Sequence, residues 1–228
     1  MRFLLLTMLL VSHCYASDTI TLTTFSHSVN RDISQSILTE AYSRLGLKLK
    51  VDTYPGERAL LYANLGRADG ALFRIAGLDK QYRNLKRIAV PINTIEGTAF
   101  YLNEDIQVRG WASLTSLKVG IMAGAKYSQQ LAQGKHLTHE NTVAQLWQLL
   151  YSGSVDVIIV ARARGLAELH KLALKAPPPR ARVLQRYPLY HYLHRRHSAL
   201  VTPLTRILTQ LQREGFIAET RERLLSMD

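Results

Sequence analysis

The 228 residues carry 29 Lys and Arg against 17 Asp and Glu, a formal charge of +12 with neutral histidines. A chain of this length can bury a full core as one domain or two, and its single cysteine, Cys14, rules out a disulfide framework. The basic excess admits nucleic acid, an anionic surface or an acidic ligand. The charges are spread through amphipathic segments, however, and no helix-turn-helix, RNA-binding or zinc-finger pattern accompanies the densest group, Arg180, Arg182 and Arg186. Nucleic acid is not expected as a partner.

The first sixteen residues have the form of an export signal. Met1-Arg2 is a short basic start and Phe3 to Val11 an apolar run. Cys14 and Ala16 then place small residues three and one before a cleavage point at Ser17. The run is well short of the roughly 20 apolar residues a membrane span needs, and His13 is a poor residue before a lipidated cysteine. Cleavage after residue 16 would remove the cysteine and, with Arg2, one charge, leaving +11. It would place the mature chain, free of thiol chemistry, in a periplasm.

Beyond the leader the pattern alternates between strand and helix. Ile20 to Phe25 alternates as a half-buried strand. Ile33, Ile37, Leu38, Ala41, Tyr42 and Leu45 recur at helical spacing, closed by Gly46. Leu47 to Asp52 is a second strand, a helix runs from about Glu57 to Leu65, and Gly70 to Arg74 is a third, largely apolar strand. Strand-helix-strand-helix-strand implies a parallel sheet covered by helices. Residues 88–102 are an extended apolar stretch. The rhythm then restarts with a strand at Leu117 to Met122 and a turn at Ala123 entering a helix through Leu131. A helix over 142–151 follows, capped by Asn141 or Thr142, then a β-branched strand at Val155 to Val160. The next helix spans about Gly165 to Lys175 and stops before Pro177-Pro178-Pro179. Tyr187 to Leu193 is extended, and residues 198–225 are helical with a break at Gly215.

Four segments in this order resemble the bacterial extracellular solute-binding proteins of family 3, the amino-acid-binding-protein-like group. They are Pro55 to Leu60 with Ala63 to Gly70, Arg74 with Tyr82 to Leu85 and Val90-Pro91-Ile92, Leu117 to Gly124, and Ser152 to Val160. The resemblance implies two α/β lobes with mainly parallel central sheets joined by a two-strand hinge, and ligand capture between them. Lobe 1 would comprise 17–95 and 195–228 and lobe 2 residues 96–194, with crossings near 92–102 and 187–194. It also implies a small-molecule ligand, a monomer, and an inner-membrane permease or a sensor receptor as partner, with no cofactor and no metal.

Ligands of open α/β sheets sit beyond the carboxyl ends of the strands, where helix N-termini point. That selects Ser26 and His27 after the first strand, Arg58 at a helix start, Arg74 at the end of the third strand, and Gly124, Ala125 and Tyr127 after the strand that opens lobe 2. Arg74 suits a carboxylate, which a guanidinium grips with two charged hydrogen bonds. The competing reading pairs it with Asp69 or Asp79, and pairs Arg58 with Glu57. Amino-acid binders of the family place an acid just past the strand matching Val155 to Val160; here the sequence is Ala161-Arg162-Ala163-Arg164. The threonine-rich stretch usual after the first-lobe glycine strand is replaced by Ile75-Ala76-Gly77. An anionic or neutral organic ligand is therefore expected rather than a standard amino acid. His191, His194 and His197 alternate faces in an extended segment and read as hinge or surface positions rather than metal ligands. Family 3 folds also host dehydratases. Glu57, Glu96 and His27 are the acid-base candidates, but no pair among them has a declared spacing, and the expectation is a binder rather than an enzyme.

Overall fold

A computed structural model describes residues 19–25, 28–123, 136–173 and 176–226. The export signal, Ser26, His27, Gly124, Ala125, Tyr127 and the rest of the helix expected to follow Met122 lie outside the described residues. The strands are β1 (Thr19–Thr24), β2 (Lys48–Thr53), β3 (Gly70–Ile75), β4 (Leu85–Tyr101), β5 (Lys118–Met122), β6 (His136–Glu140), β7 (Val157–Ala161) and β8 (Arg180–His194). Between and after them come α1 (Val29–Ser43), α2 (Gly56–Asn64), α3 (Val143–Tyr151), α4 (Arg162–Leu172), α5 (Val201–Arg213) and α6 (Phe216–Ser226). None of the described helices is long and apolar enough to cross a membrane.

Local sequence accounts for most of these elements. In α1 the spacing of Ile33, Ile37, Leu38, Ala41 and Tyr42 makes one buried stripe, and the turn after it reverses at Gly46 with φ 73°. Thr142 caps α3 in a reciprocal box: its hydroxyl accepts from the Gln145 amide at 3.2 Å, and Gln145 Oε1 accepts from the Thr142 amide at 3.1 Å. Two boundaries differ from expectation. Helix α4 begins at Arg162, so Gly165 lies inside it. A Cβ there would approach Val160 Cγ1 to 2.7 Å and Phe100 Cε2 to 2.9 Å, and the Gly165 carbonyl accepts the Trp147 indole N–H at 2.9 Å. That glycine serves close packing of helix on sheet rather than a helix start. Strand β8 begins at Arg180, seven residues before the expected stretch, because its polar first half pairs along β4. Strand β6, which the sequence did not suggest, is a short edge strand of mostly polar residues in which Leu137 alone packs on the far-half core.

All eight strands form one sheet in the order β2-β1-β3-β8-β4-β7-β5-β6. The outer triplets are parallel: β1 with β2 and β3, and β5 with β6 and β7. The two long strands in the middle are antiparallel to each other and to their neighbours. Each triplet with its helices has its own buried core. In the near half, Ile33, Ile37, Leu72, Phe73, Leu204 and Leu208 pack together on the α1, α5 and α6 side, and Leu60, Ala71, Tyr82 and Tyr192 on the α2 side. In the far half, Phe100, Leu146, Trp147 and Ile158 form one core under α3 and α4. Val119, Ile121, Val157 and Ile159 form another on the opposite face.

The strand register fixes where the halves face each other. Strand β3 ends level with residue 93 of β4, since Ile75 pairs with Leu189 and Leu189 with Asn93. Strand β7 arrives from the opposite direction and ends level with Gly97, paired with Ala161. The carboxyl ends of the two parallel triplets thus converge on a four-residue stretch of β4, about 13 Å at strand rise.

Candidate functional site

Ends of parallel strands and starts of the helices that follow them collect on that stretch. Helices α1, α2 and α4 all begin there without a side-chain cap on their first-turn amides, which leaves partial positive charge directed at the gap. Asn93 ties β4 to the first of them, its Nδ2 donating to the Asn30 carbonyl at 3.3 Å and to Asn30 Oδ1 at 3.2 Å.

At the near wall stands Arg74, on β3 one residue from its end. The residue is only 7 % exposed. Nη1 donates to the Phe73 carbonyl at 2.7 Å, and the guanidinium lies 4.5 Å from the centroid of the Phe25 ring. Nη2 is buried, and among the described residues it has no hydrogen-bond partner and the side chain makes no ion pair. Burial pulls its pKa down to about 10, with Tyr82 and Glu57 pulling the other way. Asp69 does not neutralise Arg74, because it is taken at the far end of β3 by Arg196 and by His197 Nε2 at 2.6 Å. A buried cation with an unused donor is costly to maintain unless a further partner completes it.

Phe25 and the Glu57–Tyr82 pair surround this group. Phe25, 41 % exposed, leans on Phe73 with ring centroids 5.6 Å apart and presents its other surface outward. The Tyr82 hydroxyl donates to Glu57 Oε2 at 3.1 Å; burial, then that carboxylate, raises the Tyr82 pKa. Glu57 is therefore engaged with Tyr82 rather than with Arg58, which is exposed on the first turn of α2. Phe25 and Tyr82 were not selected from sequence, whereas Glu57 stands there at the helix start with Arg58 and as an acid-base candidate. Phe25 reads there as one more strand residue, and Tyr82 reaches the site only through tertiary packing. Of the residues that were selected, Arg58 and Arg74 fall at the gap, and the other five lie outside the described residues.

On the far side the gap opens into a groove of about 680 Å³ between α4, α6 and β4. Its walls include Ile95, Leu166, Leu169 and Leu225, with Arg162, His170 and Arg221 at the polar positions. Glu96 is 16 % exposed at its floor, bound by Arg186 Nε at 3.1 Å and approached by Arg221 at 3.8 Å. Both acids considered for proton transfer are thus occupied, Glu57 by a phenol and Glu96 by two guanidinium groups.

The histidines of β8 have other roles. His191 lies on the crossing strand β8 and is fully buried there rather than at the surface. Its Nδ1–H donates to the Ala71 carbonyl at 2.9 Å, so Nε2 is bare and accepts the Tyr42 hydroxyl at 2.8 Å. Burial lowers its pKa to about 4 and raises that of Tyr42 well above its usual value. His194 Nδ1 accepts from the Arg196 amide at 3.3 Å, and His197 serves Asp69. Among the described residues no three His, Asp or Glu side chains are grouped to hold a metal ion.

This geometry is the two-lobed fold of the solute-binding proteins, and comparison with known structures agrees. A histidine kinase sensor domain with similarity to periplasmic binding proteins superposes with a TM-score of 0.69 at 18 % identity, covering 92 % of this chain and 96 % of that one. An ancestral amino-acid-binding protein, precursor of cyclohexadienyl dehydratase, gives 0.65 at 15 % identity over 91 % and 96 %. An amino-acid ABC transporter substrate-binding protein of Streptococcus pneumoniae, bound to L-arginine, gives 0.64 at 16 % identity over 91 % and 94 %. In sequence the chain is similar to an uncharacterized protein of Shewanella oneidensis, 26 % identical over 204 residues, 86 % of this chain and 77 % of that one. No family model matches the chain.

Proposed function

We propose that this protein is a periplasmic solute-binding protein that captures a small organic carboxylate between its two halves and hands it to an inner-membrane transporter. The observation that carries the reading is Arg74: a buried guanidinium at a strand end with one donor unused. A carboxylate supplies two acceptor oxygens in the geometry that fork requires, and the uncapped starts of α1, α2 and α4 favour the same sign of charge. The exposed face of Phe25 offers an apolar surface beside it. Where the resemblance to amino-acid binders implies an acid, β7 runs instead into Ala161-Arg162-Ala163-Arg164, so a zwitterion would meet further positive charge. Closure of the halves about β4 and β8 would bury the ligand, with the lobes divided as 17–95 plus 195–228 and 96–194. Catalysis is not part of the proposal, because Glu57 and Glu96 are held in pairs.

The test is a thermal-shift screen of the protein against carboxylates, amino acids and amines, followed by calorimetry on the hits. A ligand bound at 100 times its Kd stabilises by about 2.7 kcal/mol, a readily measured rise in Tm. The expected result is a mono- or dicarboxylate hit that disappears in Arg74→Met. Tight binding of a cationic amino acid with no response to carboxylates would overturn the reading.

A further inference from the structure

The groove between α4 and α6 opens from the same gap but has walls of its own: the Arg74 cluster is walled by α2, whereas the groove is walled by the first helix after β7 and the last helix of the chain. It spans the two halves, since Ala163 of α4 packs against the near-half core that also holds Leu225 of α6. Its chemistry is two-sided. Ile95, Leu166, Leu169 and Leu225 line it, and Leu166 is 41 % exposed, a large apolar side chain left in water. Around them the ionisable groups are Arg162, His170 and Arg221 against a single acid, Glu96, which Arg186 already binds from outside the groove. Arg162 makes no ion pair among the described residues and belongs to the uncapped first turn of α4. Apolar walls with a net positive rim define an amphiphilic anion.

We propose that this groove is a second binding site, for an apolar monocarboxylate: a chain of several methylene groups lies along Leu166, Leu169 and Leu225, and its carboxylate is held by Arg162 and Arg221. An occupant touches α4 of the far half and α6 of the near half together, and so couples the site to the angle between them.

The probe is octanoate, titrated calorimetrically into the protein, with octylammonium as the same tail bearing the opposite charge. The expected Kd for octanoate is on the order of 0.1 to 1 mM, as a short tail in an open groove allows, with at least tenfold weaker binding of octylammonium. Leu166→Asp, at a position exposed enough to tolerate it, weakens octanoate at least tenfold, and Ala167→Phe, which fills the groove without adding charge, does the same. Arg162→Gln weakens it several-fold. Arg74→Met leaves it unchanged, and that arm separates this site from the carboxylate site proposed above. Equal binding of the two probes, binding that survives both Leu166→Asp and Ala167→Phe, or loss of octanoate binding in Arg74→Met would each overturn the proposal.

Discussion

Replacing Arg74 with methionine separates the cost of the anion site from its use. Methionine keeps an unbranched stem against Phe25 and removes the charge. Burial holds the guanidinium pKa near 10, which corresponds to about 3 kcal/mol by which the fold disfavours the charged form. The folded pKa of this cation is lowered, so the penalty is present at every pH below about 10 and fades as pH rises beyond it. The variant gives up the hydrogen bond to the Phe73 carbonyl, about 1 kcal/mol, and the contact with the Phe25 ring, about 0.5 to 1 kcal/mol. What remains is a ligand-free protein about 1 kcal/mol more stable, with Tm raised by roughly 2 to 4 °C for a chain of this size. With ligand the order reverses. Two charged hydrogen bonds to a carboxylate contribute about 3 to 5 kcal/mol, so affinity falls by a factor between about 100 and about 4000. Differential scanning calorimetry of both proteins at neutral pH, with and without the best carboxylate hit, measures the two effects. A ligand-free Tm several degrees below that of the parent, with affinity unaltered, would refute the reasoning and make Arg74 a structural anchor.

Three further outcomes follow from other parts of the fold. His191 is buried neutral with a pKa near 4 against its usual 6.5, so stability is full above pH 6.5 and is lost as pH falls from there towards 4; between pH 7.5 and pH 5 the loss is about 2 kcal/mol, seen in urea midpoints and absent from the pH slope of His191→Gln. A Cβ on Gly70 would lie 2.2 Å from the backbone oxygen of Tyr192, a contact no rotamer relieves, so Gly70→Ala breaks the β3–β8 pairing at a cost above about 3 kcal/mol and circular dichroism shows a largely unfolded protein at 37 °C. Arg58→Ala, at an exposed first-turn position, leaves Tm within about 1 °C and lowers carboxylate affinity by less than about tenfold, an order of magnitude below the effect of Arg74→Met.

The near half was legible because its elements are local. The stripe from Ile33 to Tyr42 encodes α1, Gly46 and Gly66 sit at the positive φ that ends a helix, and the apolar run Gly70 to Phe73 encodes a buried strand. The same holds for Thr142 as a cap and Gly215 as a break, each a decision taken within four residues. Gly165 was misread for the same reason: from sequence a glycine near a helix boundary marks an end, and only the approach of Val160 and Phe100 shows why a side chain is excluded there. Polar β6 and the first half of β8 carry no apolar alternation, and became strands because neighbours supplied the pairing.

By itself the sequence determined the leader-like start, the strand and helix order, and an arginine at the end of β3, because periodicity, caps and breakers act over a few residues. Tertiary structure decided which residues meet. The register of β4 brings the ends of β3 and β7 to within four residues of each other, Asp69 goes to Arg196 and His197 rather than to Arg74, and His191 turns into the core onto Tyr42. Those partners are 64 or more residues apart along the chain, and no local pattern records a contact whose energy depends on a fold already formed.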